Sequence, residues 1–214
     1  MSYLIAFVIV IIAYLYGSFS TARIVTKSVR SLNVYKVGSG FADTENIYAN
    51  ISKPLGVLVG ALDVAKAYVF LLIVEMVLRL IDRTGSFSGI STLYQANLML
   101  LYGTGMLVGH CLPYSHHFRG GRGIFTYMGF LAYFAFYPML ITAIIAWILV
   151  ARFKQIRFAQ YLVVILPVVL FQVFYSVFPV LRKDLPPYFV PIMLGVALLM
   201  GILNILVSKK LGEI

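Results

Sequence analysis

Residues 123–151, GIFTYMGFLAYFAFYPMLITAIIAWILVA, decide how many times this chain crosses a membrane. The stretch reads either as one long helix kinked near Pro138 or as two short helices, 123–135 and 137–151, joined by a tight turn. Other apolar runs cover 3–19, 54–80, 93–112, 158–179 and 187–208, and a spanning helix needs roughly 20 such residues. Charge placement favours two helices. With seven spans and the N-terminus outside, the inner loops hold Arg23, Lys27, Arg30, Lys36, Lys53, Arg119, Arg122, Arg152, Lys154, Arg157, Lys209 and Lys210. The outer loops hold only Arg79, Arg83, Arg182 and Lys183, and Lys66 lies inside a span. That asymmetry satisfies the positive-inside rule, and with one span fewer it weakens. The prediction is an all-α polytopic membrane protein, a bundle of about seven transmembrane helices. Its N-terminus is outside and its C-terminus cytoplasmic.

Composition agrees. The chain is 62% hydrophobic and 11% charged, with a mean hydropathy of +0.97, whereas soluble domains carry about 25% charged residues. The net charge of +10 follows from basic inner loops, so nucleic-acid binding is a poor reading of it. The single Cys111 excludes an internal disulfide, and no Cys/His spacing suits a metal. The opening MSYLIAFVIVIIAYLYGSF lacks a basic leader and a small-residue cleavage site, and reads as a first span rather than a signal peptide. No low-complexity tract, repeat or soluble segment interrupts the chain, which reads as one domain over 1–214.

Function then has to arise in the bundle and its polar inner loops, 19–53 and 113–122. In GHCLPYSHHFRGGRG, residues 109–123, Gly120, Gly121 and Gly123 allow close backbone approach to a ligand. Arg119 and Arg122 flank them with guanidinium forks that match phosphate oxygens. A helix start at Gly123 adds its own preference for an anion. The competing reading is a flexible inner loop whose arginines touch anionic lipid heads. His110 could orient a phosphate or move a proton, or it could be a helix-end histidine bonded to a carbonyl. His116 and His117 read as interfacial and solvated.

Asp63 and Lys66 stand three apart and share a helical face. They lie roughly 14 and 18 Å along the helix counted from Pro54. Ionisable groups that deep face a polar interior, as a plain ion pair or as part of a site. Gly17, Ser18, Gly38, Ser39 and Gly40 offer a second surface for close approach at the cytoplasmic ends. Asp43 and Glu45 repel an anion. They read better as caps of a helix beginning near Asn46, or as partners of Lys36 and Arg30.

Three stretches, YLYGSFSTARIV, VGSGFADTEN followed by PLGVLVGALDVAKAY, and GHCLPYSHHFRGGRGIFT, resemble in order and spacing the bacterial membrane glycerol-3-phosphate acyltransferases that use acyl phosphate, the PlsY family. The likeness runs without gaps from about Gly17 to Tyr68 and from about Gly103 to Gly129. It implies a seven-helix bundle with its site on the cytoplasmic face of the plasma membrane. The implied reaction moves an acyl group from acyl phosphate to the sn-1 hydroxyl of glycerol 3-phosphate. Lysophosphatidic acid and phosphate are its products; no metal, cofactor or obligate protein partner is implied. With this resemblance the expected catalytic residues are Ser39, His110 and Arg122. Gly38, Gly40, Asn46, Arg119, Gly120, Gly121, Gly123 and Thr126 are expected at substrate phosphate, and Ser18, Asp63 and Lys66 in support.

The chain also departs from that pattern. Phe41 stands in place of an asparagine, Asp43, Thr44 and Glu45 replace Gly-Ala-Thr, and Arg119 and Arg122 replace lysines. Tyr35 and Ala49 take arginine positions, Gln160 a serine position, and only Asn204 and Ile205 remain of a C-terminal signature. Such losses of cationic groups suit the same chemistry on a less anionic acceptor, or a non-catalytic lipid-binding paralogue. A transporter fits least, because the charges cluster in inner loops.

Overall fold

The computed structural model describes residues 2–85, 88–181 and 185–211; Arg182 and Lys183, assigned above to an outer loop, lie outside them. All regular structure among the described residues is helical. Its α-helices are α1 Ser2–Gly17, α2 Thr21–Arg30, α3 Thr44–Asn50, α4 Lys53–Arg83, α5 Ala96–Cys111, α6 Ile124–Phe134, α7 Phe136–Phe153, α8 Ile156–Val177 and α9 Phe189–Leu211. Every apolar run read from the sequence falls on a helix.

Residues 123–151 form two helices, as expected. The chain breaks at Ala135, whose φ of −137° and ψ of 63° are not helical. Pro138 sits in the first turn of α7, where a missing N–H costs nothing because that donor has no partner in the helix. Five helical stretches among the described residues are long and apolar enough to cross a bilayer: Ser2–Arg30 taken as one run, α4, α7, α8 and the greater part of α9. At 16 and 11 residues, α5 and α6 are shorter. They reach about 24 and 17 Å, against a hydrocarbon core of about 30 Å.

The first run is interrupted at residues 18–20. Ser20 caps α2 by accepting from the Arg23 N–H at 3.2 Å. Ala22 and Thr26 of α2 are buried while Arg23, Lys27 and Arg30 point outward. α2 is therefore an amphipathic helix at the end of α1, not a continuation of the span. The break leaves the Phe19 carbonyl outside both helices, available to another partner.

α1 packs on α5, α4 on α6, and α7 on α8, with α9 touching both α5 and α8. Large apolar side chains such as Phe7, Leu62, Ile144, Trp147, Val173 and Leu198 remain exposed on the outside. That arrangement suits lipid as the solvent. The core is built of Tyr102, Met106, Tyr127, Phe130, Leu131 and Phe189, all fully or almost fully buried.

Two glycines set the α1–α5 distance. A Cβ at Gly17 would strike the Met106 carbonyl, and one at Gly109 would strike the Tyr14 carbonyl. Small residues at such crossings let backbones touch where no hydrophobic drive separates helices from lipid. Gly109→Ala is expected to cost about 1–3 kcal/mol through overpacking. Thermal unfolding of the detergent-solubilised protein checks this, with Gly195→Ala as the control, since a Cβ there meets nothing within 4 Å.

Candidate active site

The break after α1 and the middle of α4 build the innermost layer. The Lys66 ammonium donates to the Phe19 carbonyl at 2.9 Å and to His110 Nδ1 at 3.3 Å. It also pairs with Asp63 Oδ1 at 3.3 Å. An ammonium has three donors, and all three are used. Asp63 Oδ1 also accepts from the Thr21 hydroxyl at 2.6 Å. Asp63, Lys66 and His110 are 2%, 9% and 6% exposed, so none of them meets bulk water. The sequence left Asp63–Lys66 open between an ion pair and a part of the site; the pair forms, and it also reaches His110.

His110 is therefore not bonded to a helix-end carbonyl through its ring. With Lys66 donating to Nδ1, the network assigns the proton to Nε2. Nε2 faces Gly121, where an added Cβ would lie 2.8 Å from it. This position requires glycine. Gly121 N–H donates to the His110 carbonyl at 3.3 Å, and Ala42 N–H to the Gly120 carbonyl at 3.4 Å. The RGGRG segment is thereby pinned between the end of α5 and the loop before α3.

That loop is folded around Asn46, which is 1% exposed. Its Nδ2 donates to the carbonyls of Val37 and Phe41, both at 2.9 Å. Its Oδ1 accepts from the Ser39 N–H at 3.2 Å and from Asn50 Nδ2 at 3.0 Å. Asn46 was expected at phosphate; its amide instead organises the loop that carries Gly38, Ser39 and Gly40. Gly38 and Gly40 take φ of 57° and 72°, values that favour glycine. Ser39 stands half-buried on this loop and lines neither of the two cavities described below.

The acidic residues replace the expected partners. Asp43 caps α3 through the Asn46 N–H at 2.9 Å. Among the described residues neither carboxylate pairs with Lys36 or Arg30; both turn to Arg122 instead. Arg122 Nη1 lies 2.5 Å from Glu45 Oε2 and 3.5 Å from Asp43 Oδ2. Its guanidinium lies 4.2 Å over the Phe41 ring. Gln160 donates to the same Glu45 oxygen at 2.7 Å, and Asn204 to the Arg122 carbonyl at 3.2 Å. Phe41, Asp43, Glu45, Gln160 and Asn204 thus assemble around one arginine, which no spacing rule could have shown.

Arg119 is exposed, and its carbonyl accepts from the Tyr35 hydroxyl at 2.9 Å. His116 stacks on Tyr35 and contacts Ser115, while His117 is exposed. Ser18 bonds back to the Tyr14 carbonyl at 2.9 Å. The buried hydroxyls of Thr126 and Thr44 have no hydrogen-bond partner. Thr44 was not among the expected site residues. It lines both cavities, and an orphan hydroxyl there is a signal only the fold provides.

The larger cavity, of about 360 Å³, is an apolar groove between α4, α6, α7 and α8. Val57, Val64, Phe125, Met128, Trp147 and Val163 line it, and Thr44, Glu45 and Gln160 form its polar end. The smaller, of about 20 Å³, lies against Asp63, His110, Arg122 and Gly123 and shares Thr44, Glu45 and Gln160 with the first. An apolar channel therefore ends on a polar pocket.

The family model for glycerol-3-phosphate acyltransferase matches residues 7–210 of this sequence. The chain belongs to that family. Glycerol-3-phosphate acyltransferase 1 of Lactobacillus acidophilus is 29% identical over 169 residues, covering 78% of this chain and 71% of the relative. The Clostridioides difficile glycerol-3-phosphate acyltransferase is 33% identical over 122 residues, 57% of this chain and 55% of the relative. The crystal structure of PlsY, an integral membrane glycerol 3-phosphate acyltransferase in its glycerol 3-phosphate form, shares the fold. Its TM-score is 0.69 at 21% identity over 96% of this chain and 88% of that one. Of the positions read above as departures from the family's motifs, Phe41, Asp43 and Glu45 gather on Arg122, and Gln160 joins them through Glu45.

Two measurements probe this geometry. Lys66→Met strands a buried carboxylate and is expected to cost about 3–5 kcal/mol; adding Asp63→Asn should recover part of it in thermal unfolding. Burial pushes the Asp43 carboxyl up from 3.8 to about 6, against the pull of Arg122 and the Asn46 N–H. The folded chain then keeps a proton that the unfolded chain releases between those values. Asp43's contribution is fully present below pH 3.8 and is lost as pH rises through about 6. It amounts to roughly 2–3 kcal/mol. Asp43→Asn should remove this slope from the stability–pH profile while keeping the cap.

Proposed function

We propose that this protein transfers an acyl group from acyl phosphate to the sn-1 hydroxyl of glycerol 3-phosphate, giving lysophosphatidic acid and phosphate. The observation that carries the reading is the shared wall of Thr44, Glu45 and Gln160 between an apolar groove and a pocket holding His110 and Arg122. A donor with an apolar tail and a phosphorylated head needs such a junction. Its tail lies along α4, α6 and α8, and its reacting carbonyl rests at the polar end. The family's name and the glycerol 3-phosphate and lysophosphatidic acid forms of the neighbouring structures support the choice of substrates.

The chemistry is balanced without a further reactant. The acceptor hydroxyl oxygen bonds to the acyl carbon as the bond from that carbon to phosphate oxygen breaks, and the hydroxyl proton ends on the released phosphate. Position and charge supply the rate. His110 donates from Nε2, held in that tautomer by Lys66, and Arg122 faces developing phosphate charge. Gly123 lines the polar pocket itself, and Ser39 with the backbone of Gly38, Gly40, Gly120 and Gly121 meets the head group from the loops outside it, Arg119 exposed beside them and Thr126 buried behind. Asn46, Ser18, Asp63 and Lys66 hold these elements in place. In the membrane, charge asymmetry supports seven crossings, the N-terminus outside and this site on the cytoplasmic face of the plasma membrane.

The purified protein in lipid, given acyl phosphate and labelled glycerol 3-phosphate, should release phosphate and form lysophosphatidate. His110→Ala should lower kcat by about 10²-fold or more. Turnover no greater than that of the His110→Ala, Arg122→Ala double variant would overturn the reading.

A further inference from the structure

The pocket behind Arg122 has room for about one water molecule or one ligand oxygen, at about 20 Å³. A phosphate group does not fit beside Glu45 as it stands. The charged side chains lining that pocket among the described residues are Asp43, Glu45 and Asp63 against Arg122 alone. Lys66 offers no help, since its donors serve Phe19, Asp63 and His110. Glu45 grips the guanidinium at 2.5 Å, the distance of a charge-assisted bond that a phosphate oxygen would otherwise make. Gln160, from α8, holds the same carboxylate oxygen at 2.7 Å.

We propose that Glu45 is a specificity-determining residue whose carboxylate occupies, on Arg122, the seat of a substrate phosphate oxygen. An anionic ligand takes the Nη1 side of the Arg122 fork only by displacing Glu45, so phosphate affinity there is set by competition with the chain's own carboxylate. Gln160 biases that competition toward Glu45 by anchoring it from the opposite side. This rests on the acyl-transfer reading for its substrate but not for its test.

Calorimetric binding of inorganic phosphate and of glycerol 3-phosphate to the full chain in lipid nanodiscs reads the competition without turnover. Glu45→Gln keeps the hydrogen-bonding shape and removes the charge; both ligands should bind about tenfold tighter or more. The KM for glycerol 3-phosphate should fall in step. Glu45→Thr should tighten binding likewise, and Glu45→Asp, which keeps the charge but shortens the reach, should fall between. Uncharged glycerol should show no such gain. Unchanged or weaker phosphate binding in both Glu45→Gln and Glu45→Thr, with unfolding temperatures like the parent's, overturns the inference. Tighter phosphate binding by a chain that transfers no acyl group supports it while overturning the acyl-transfer reading. Transfer to glycerol 3-phosphate with KM unmoved by either variant overturns the inference alone.

Discussion

The three hydrogen bonds of the Lys66 ammonium are the constraint on which the rest of the site depends. An ammonium in the interior of a bundle has no water to fall back on, and each unmatched donor is costly. Its partners come from three places: the Phe19 carbonyl between α1 and α2, Asp63 one turn earlier on α4, and His110 at the end of α5. Satisfying one side chain therefore requires the first helical run to break, α4 to face inward and α5 to end at the right level. The glycines that bring α1 against α5 make that possible, since any side chain at Gly17 or Gly109 would push the two backbones apart.

Around this anchor the two polar loops behave as one object. Asn46 spends its amide on the loop from Val34 to Phe41, and the Gly120 and Gly121 backbone joins that loop to His110. The acidic pair then closes over the top by seizing Arg122, with Phe41 beneath and Gln160 behind. Phe41, Asp43, Glu45 and Gln160, which read in sequence as separate departures, form one connected set. Replacing a small neutral loop by carboxylates is tolerable because a guanidinium, which holds two partners at once, stands opposite.

Much of this was open to a reader of the sequence. Hydropathy located every long helix, and Pro138 marked the division between α6 and α7, because a helix start is the one place where its missing donor is harmless. The three-residue spacing of Asp63 and Lys66 announced a polar inner face. The family likeness was equally visible. Sequence reasoning went astray where contact is made at a distance. The cap it offered for Asp43 forms, but the pairing it offered with Lys36 and Arg30, neighbours along the chain, gives way to Arg122, and the Asn46 amide it placed at substrate is taken up by the loop.

The sequence alone thus determined membrane class and helix placement, which follow from local composition and periodicity, and the family, which follows from motifs held in order and spacing. Only the tertiary structure decided which charges meet. Arg122 lies 77 residues from Glu45 and 79 from Asp43 along the chain. Their meeting depends on where α3 and the start of α6 are placed by the packing of α4, and no local pattern carries that distance. The same packing set the orphan hydroxyl of Thr44 at the seam of the two cavities. A side chain's partner, unlike its helix, is a property of the whole bundle.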